Sequence, residues 1–253
     1  MSLLAEAPPG RHFAQFHRDR DGLGQSVFAF LEAGLRRGNS VLVVATAEQV
    51  EVTFERLRAS KFDPKSLCDS GQLAVLDAET LLEQFVIDGV PEWAEFRSAV
   101  QPVLSRLRPH GRGSRVYSEL AHTLWDAGNT AAAIRLEDFW NAMAGTYPFA
   151  LYCGYTMDTH CEKAYAAPLE ELGRTHTDIL GTPEDEQFGI ALDRASKEIF
   201  GISLTQMAGV SRHDGARRFP SGQRAMLWVK RNLPMSTAQL AERARHYFKS
   251  NHA

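Results

Sequence analysis

Apolar and polar positions along the first 155 residues fall into two alternating kinds of block. Short, largely apolar runs predict strands at Arg11–His17, Val41–Ala45, Gln72–Leu76, Arg115–Glu119 and Phe149–Tyr155. Between them apolar residues recur every three or four positions, the spacing of a helix face packed on a core. Val27, Phe30, Leu31 and Leu35 form such a face in Gln25–Arg37, Val50, Phe54 and Leu57 in the next helix, and Thr80–Ile87 follows. Pro91 is expected to open a long helix bearing Trp93, Phe96, Val100, Leu104 and Leu107, with Pro109 and Gly111 ending it. Thr130–Gly145 presents Leu136, Phe139, Trp140 and Met143. Val41–Ala45, apolar throughout, reads as a strand covered on both faces, as in parallel sheets. Five strands alternating with helices predict an α/β fold whose mostly parallel sheet is sandwiched by helices.

Beyond Tyr155 the period changes. Residues 158–181 are irregular, and the rest is helical in pattern. Thr182-Pro183-Glu184-Asp185 combines a capping hydroxyl, a first-turn proline and early acids, a strong helix start. Phe188, Leu192, Ala195 and Ile199 continue that helix to a stop at Gly201. Ser203–Val210, Ser221–Arg231 and Thr237–Phe248 are three more helices. The chain thus reads as an α/β domain over residues 1–180 and a small all-helical domain over residues 181–253.

Charge sharpens this division. Residues 204–253 carry nine Lys and Arg against two Asp and Glu, although the whole chain has a net charge of −3. A basic tail behind an acidic body points to a polyanion, DNA first, or to an acidic surface on a protein partner or on the chain itself. Apolar residues make up 44% of the chain, but no run is long enough to span a bilayer, and no basic segment precedes Leu3-Leu4 as in a secretory signal. Three sparse cysteines suit a reducing, cytoplasmic compartment better than a disulfide framework.

An α/β nucleotide-binding fold grips phosphate at its first strand-to-helix turn. The corresponding stretch is Asp19-Arg20-Asp21-Gly22-Leu23-Gly24-Gln25-Ser26. A glycine and a hydroxyl stand where a P-loop needs them, but Gln25 replaces the lysine and Asp19 the first glycine. Asp19 and Asp21 add negative charge where a triphosphate would sit, so ATP hydrolysis is not expected. Gly22-Leu23-Gly24 reads either as a relic of such a loop or as a plain strand-to-helix turn.

The strings RHFAQFHRDR, VLVVATAE, RVYSELAHTLWDAGNTAAAIRLEDFWNAM and FALYCGYTM together resemble the MEDS sensory domain family over residues 11–180. The most specific block runs from Tyr117 to Tyr155: Tyr117 and Glu119 at a strand end, Leu136-Glu137 and Trp140-Asn141 on a helix, Cys153 and Tyr155 on a strand. The resemblance implies a RecA/KaiC-type fold without Walker motifs, in a regulator that senses small, often one-carbon or hydrocarbon-like molecules. Independently, ligands of parallel α/β sheets bind beyond the carboxyl ends of the strands. His17, Thr46, Asp77, Glu119 and Tyr155 fall at those ends, and Tyr117, Trp140 and Phe139 offer walls. The candidate ligand-binding residues are His17, Thr46, Tyr117, Glu119, Trp140 and Tyr155; for Trp140, core packing is the plainer reading.

Cys153, His160, Cys161 and His176 have the donor chemistry of a zinc site, but their spacing matches no usual pattern. Ser118, Glu119 and His122 hint at acid–base or nucleophilic chemistry without a visible third orienting group. Neither a metal, a cofactor nor an enzymatic activity is expected.

From Ala195 onward the chain is similar to the C-terminal DNA-binding domain of the bacterial replication initiator DnaA. The features are Phe200-Gly201-Ile202-Ser203, a basic loop from Ser211-Arg212, Gln223-x-Ala225-Met226, a basic helix end at Lys230-Arg231, and Ser236 to Ala241. The resemblance implies a helix-turn-helix whose basic loop touches phosphates, and the candidate DNA-binding residues, by charge, are Arg212, Arg217, Arg218, Arg224, Lys230, Arg243 and Arg245. It departs at Gly222, where that family has Arg, and the Arg-Asp-His recognition signature is replaced by Arg243-Ala244-Arg245-His246-Tyr247. The leading expectation is a transcriptional regulator with a small-molecule- or partner-sensing domain and a DNA-binding tail, for which a homodimer would be suited. The alternatives are a signalling protein-interaction module without DNA binding and a degenerate nucleotide-binding protein.

Overall fold

The protein is described as a computed structural model covering residues 3–107, 113–209 and 218–250. Its strands are β1 (His12–His17), β2 (Ser40–Ala45), β3 (Leu73–Asp77), β4 (Val86–Ile87), β5 (Val90–Pro91), β6 (Ser114–Ser118), β7 (Phe149–Thr156) and β8 (Asp178–Leu180). Six form one sheet in the order β3-β2-β6-β7-β1-β8, and β4 with β5 makes a separate two-stranded piece. β2 pairs in parallel with β3 and with β6, and β6 with β7, so that Val44, Ser118 and Cys153 lie in register. All six residues of β2 are buried, as its unbroken apolar run requires. The α/β reading and the helical C-terminal region both hold.

The chain divides into two compact units, Met1–Phe13 with Asp19–Thr156, and Ala14–Arg18 with Met157–Ala253. In the first, Trp140 is fully buried, edge-on to Phe96 at 5.2 Å and to Phe149 at 6.1 Å, and Phe96 meets Phe85 at 5.2 Å. These aromatic contacts, from helices Ala78–Phe85, Trp93–Arg106 and Thr130–Ala144 and from β7, form one hydrophobic centre.

Several local expectations are corrected. The helix expected to run to Ile87 ends at Phe85, and Val86–Ile87 turns back on Val90–Pro91 as a hairpin; Pro91 therefore lies in β5, and the long helix starts at Trp93. In helix Ala47–Ala59 the buried stripe is Gln49, Thr53 and Leu57, one position off the expected Val50 and Phe54. Gly22 and Gly24 do not form a loop, because helix Arg20–Arg36 already begins at Arg20. Short helices at Pro64–Asp69, Leu120–Asp126 and Leu169–Thr175, and strand β8, were not read from the pattern.

Arg115 on β6 is nearly inaccessible to solvent. Its guanidinium donates to the carbonyls of Phe30 (2.7 Å), Ala5 (2.7 Å), Leu4 (3.2 Å) and Glu6 (3.3 Å), and to Asn39 Oδ1 (3.3 Å). Four of these five acceptors are backbone oxygens, three of them in the N-terminal turn Leu3–Glu6. Burial, and secondarily the Arg37 charge, lowers its pKa to about 10. This cation is a tether for the first residues.

The second unit is built on helix Pro183–Phe200. The expected start is present: the Thr182 hydroxyl accepts from Asp185 N, while Asp185 accepts from Thr182 N at 2.8 Å, a reciprocal capping box. Gly201 ends the helix at φ 72°. Asp185 is also the hub of a buried network, accepting from Gln223 Nε2 (2.9 Å), the Thr159 hydroxyl and His160 Nε2 (both 3.3 Å). Burial alone would raise this carboxyl, but hydrogen bonds from His160 and Thr182 outweigh it and hold the pKa below the usual 3.8. His160 stacks on Phe188 at 4.1 Å and meets Phe248 at 5.0 Å, joining helix Thr237–Ser250 to the same centre. Helices Pro183–Phe200 and Ser221–Asn232 meet at Gly189 and Gly222, where a Cβ on Gly222 would lie 3.0 Å from the Gly189 Cα.

Candidate functional site

At the carboxyl ends of β2 and β6 the chain places Thr46 and Glu119 side by side. Glu119 is 1% exposed. Its Oε2 accepts from Thr46 N (2.9 Å) and the Thr46 hydroxyl (3.1 Å), and its Oε1 from the Tyr117 hydroxyl (3.1 Å). Burial raises the Glu119 carboxyl above the ordinary value, with the three donors pulling the other way. The carboxylate is satisfied in this buried setting because strand register brings its donors to it. The same contacts deprotonate nothing: burial, reinforced by the Glu119 charge, pushes the Tyr117 hydroxyl far up.

The helices that start at Thr46 and Glu119 carry polar atoms for which the described residues provide no partner: Gln49 Nε2, Thr53 Oγ1 and His122 Nδ1. Each belongs to a buried residue. Gln49 follows Thr46 by less than one helical turn and accepts its cap through the backbone, Gln49 N donating to the Thr46 hydroxyl at 3.5 Å. His122 follows Glu119 by the same interval on helix Leu120–Asp126. Burial lowers the His122 pKa, so its neutral imidazole, with one donor and one acceptor, is the favoured form. Its ring stands edge-on to Tyr155 at 6.0 Å. The charge of Arg20 acts on both Glu119 and His122. Gln49, Thr53 and Arg20 were not singled out from the sequence, and His122 only beside Ser118; for Gln49 and Thr53, polar residues on the inward face of a helix beginning at a strand end were the signal.

Arg20 also amends the electrostatic reading of the Asp19–Ser26 stretch. A cation is present there, 4.0 Å from Glu48, and Asp21 is taken up by Arg56 at 2.6 Å and by Gln25 at 2.9 Å. The helix amides are nonetheless occupied: Asp19 Oδ1 accepts from Gly22 N at 2.8 Å. The donor that would cradle phosphate is closed by the chain's own carboxylate.

A second polar cluster lies within the same unit. Glu137 on helix Thr130–Ala144 is fully buried and accepts from the Tyr155 hydroxyl through Oε1. Its Oε2 stands 3.3 Å from the Cys153 thiol and 3.2 Å from His12 Nε2. Cys153 and Tyr155 share a face of β7 by its alternation. Burial, with the Glu137 charge adding to it, holds both the thiol and the phenol well above their ordinary values. Tyr155 therefore joins Glu137, not Glu119. Trp140 serves the aromatic core, its indole N–H without a partner among the described residues. His17 is buried in the second unit, its carbonyl accepting from Met157 N at 2.7 Å. Ser118 Oγ accepts from Leu120 N at 3.3 Å, and no Ser118–His122 hydrogen bond occurs among the described residues.

A family model described as MEthanogen/methylotroph, DcmR Sensory domain matches residues 11–177, two thirds of the chain. The chain belongs to the MEDS family. No curated protein matches it. The MEDS segment contains both clusters and identifies a sensory domain, and no described helix is long and apolar enough to cross a membrane.

Beyond the MEDS segment, the basic residues have definite partners. Arg231 pairs with Glu170, and Arg243 with Glu198, its Nε at 2.9 Å. Hydrogen bonds from Arg243 and then Tyr247 bring the Glu198 carboxyl down to about 2. Arg218 donates to the carbonyls of Gly173, Arg174 and His176. Arg224, Lys230 and Arg245 are half-buried and have no ion pair among the described residues. Arg212 and Arg217 lie outside the described residues. Gln223, part of the matched pattern, is a buried structural residue that donates to Asp185 and to Thr159.

Proposed function

We propose that the chain is a non-enzymatic, cytoplasmic sensory regulator whose MEDS segment takes a small hydrogen-bonding effector at the Thr46–Glu119 junction. One observation carries the reading: Gln49 Nε2, Thr53 Oγ1 and His122 Nδ1, on the helices that start at Thr46 and Glu119, are buried polar atoms without a partner among the described residues. Buried donors and acceptors are almost always satisfied, and an effector with a hydroxyl, carbonyl or carboxylate would satisfy these. Arg20 adds an attraction for negative charge. Three free cysteines, Cys68, Cys153 and Cys161, agree with a reducing compartment. The test is thermal unfolding with one-carbon alcohols, aldehydes and carboxylates. A ligand at a hundred times its Kd adds about 2.7 kcal/mol, a shift of several degrees. Gln49→Met and His122→Leu should abolish that shift; no shift in the wild type, or full shifts in both variants, would overturn the reading.

DNA binding by the helical unit, as in a transcriptional regulator, is the finer reading of the output, and a dimer would suit it. It draws on the charge excess after residue 203 and on Arg224, Lys230 and Arg245, whose charges have no ion-pair partner among the described residues. The capture of Arg218, Arg231 and Arg243 within their own unit favours instead a protein-interaction module without DNA binding. Anisotropy titration of a DNA duplex from low to moderate salt separates the two. If DNA is the partner, Arg224→Ala with Arg245→Ala lowers the log–log salt slope by about 2. Absence of salt-dependent binding leaves the protein-interaction reading.

A further inference from the structure

We infer that His12, Glu137 and Cys153 form a binding site for a zinc-class divalent ion. This goes beyond the effector reading and does not rest on it. The three ligand atoms make a nearly equilateral triangle: His12 Nε2 to Cys153 Sγ 3.4 Å, Cys153 Sγ to Glu137 Oε2 3.3 Å, and Glu137 Oε2 to His12 Nε2 3.2 Å. Ligands on a tetrahedral zinc ion, at roughly 2.0–2.3 Å from the metal, stand about 3.2–3.7 Å from one another. The triangle already has the size of one face of that tetrahedron. An ion seated just off its centre reaches all three atoms with little movement.

The surroundings are those of a built site. His12 Nδ1 lies 2.9 Å from Asn141 Oδ1, which fixes the tautomer with the proton on Nδ1 and leaves the Nε2 lone pair facing the triangle. The two oxygens of Glu137 are divided in the same way: Oε1 is held by the Tyr155 hydroxyl, and Oε2 faces His12 and Cys153. His12, Glu137 and Cys153 are 3%, 0% and 1% exposed. A carboxylate this deep, with a thiol and an imidazole as neighbours, is costly to bury unless a cation or strong donors compensate it. On metal binding the Cys153 thiol gives up its proton to solvent, and the two negative charges of thiolate and carboxylate are neutralised by the dication. The mixture of one soft, one intermediate and one hard ligand selects zinc or cobalt over magnesium or calcium. Of the donors that the sequence set beside Cys153, His160 is engaged elsewhere, its Nε2 3.3 Å from Asp185.

The test uses the full chain, stripped of metal with a chelator under reducing conditions. Equimolar cobalt(II) should produce a thiolate-to-cobalt charge-transfer band and intense tetrahedral ligand-field bands, both displaced by zinc. Zinc retained after gel filtration should be about one ion per chain. Cys153→Ser should lose the charge-transfer band, whereas Cys161→Ser and Cys68→Ser keep it. Asn141→Ala should weaken zinc binding about 10–100-fold while the band persists at saturating cobalt. Wild-type protein that gives no thiolate–cobalt band, or a band that survives Cys153→Ser, overturns the inference; neither outcome bears on effector binding at Thr46–Glu119.

Discussion

Asp185→Ala is expected to destabilise the second unit by about 3–5 kcal/mol, because it leaves several buried donors without their shared acceptor. Thr182 N, Gln223 Nε2 and His160 Nε2 all point at this carboxylate, and they come from a loop, from helix Ser221–Asn232 and from the segment after β7. None of them can turn to water without opening the unit. Trp228 lies in that helix, and its fluorescence in a urea titration reports the change as a fall in midpoint. The pH dependence gives an independent check. The folded carboxyl titrates below 3.8, so the unfolded chain binds the proton more readily and stability rises with pH through this range. The contribution is complete above the unfolded value near about 4 and is lost as the pH falls through the lower folded value. Wild-type protein should therefore lose stability in acid more steeply than Asp185→Ala. A cost under about 1 kcal/mol, or parallel acid profiles, would show that the network rearranges around the gap.

Arg115→Met should cost about 3 kcal/mol, a net of opposing effects. Removing the guanidinium relieves the desolvation of a charge that has no carboxylate beside it. It also takes a donor from the carbonyls of Phe30, Leu4, Ala5 and Glu6, which the Met side chain cannot serve. The second effect wins, since several acceptors lose their donor and only one cation is freed. The loss is localised. Residues 3–6 keep only Arg37 as a side-chain donor to the Ala5 and Glu6 carbonyls, so limited proteolysis should cut near the N-terminus of the variant well before the wild type. Equal stability and an unchanged digestion pattern would mean that the turn Leu3–Glu6 holds itself.

What could be read from the chain was whatever depends on neighbours in sequence. The run Val41–Ala45 announces a doubly covered strand, and Thr182 to Asp185 announces a capped helix, since both signals are complete within a few residues. Gln49 and Thr53 escaped because hydrophobic periodicity counts polar residues as outward-facing, and the helix is in fact turned to bury them. Pro91 misled because a proline suits a helix's first turn and an edge strand equally well. The site was legible in part. Tyr117, Glu119 and Thr46, which the structure brings into contact, could be singled out because they stand at strand ends, and strand ends can be located without strand order. The His12–Cys153 contact could not be, because it joins residues 141 apart whose strands are neighbours only in the sheet order β7-β1. Likewise the partners of Arg231 and Arg243 lie 61 and 45 residues away, so the sequence could not show that these two charges are paired within the chain.

The meeting of Gly189 and Gly222 sets a rule for how this sequence can drift. A Cβ on Gly222 would confront the Gly189 backbone at 3.0 and 3.2 Å, so this position cannot gain a side chain without prising helices Pro183–Phe200 and Ser221–Asn232 apart, whereas a Cβ on Gly189 would meet only the Ser221 hydroxyl closely, at 3.2 Å. An arginine at 222 demands a different crossing of these helices. A lineage that keeps this close crossing is therefore committed to glycine at 222, while 189 is free to drift as far as the Ser221 side chain can give way.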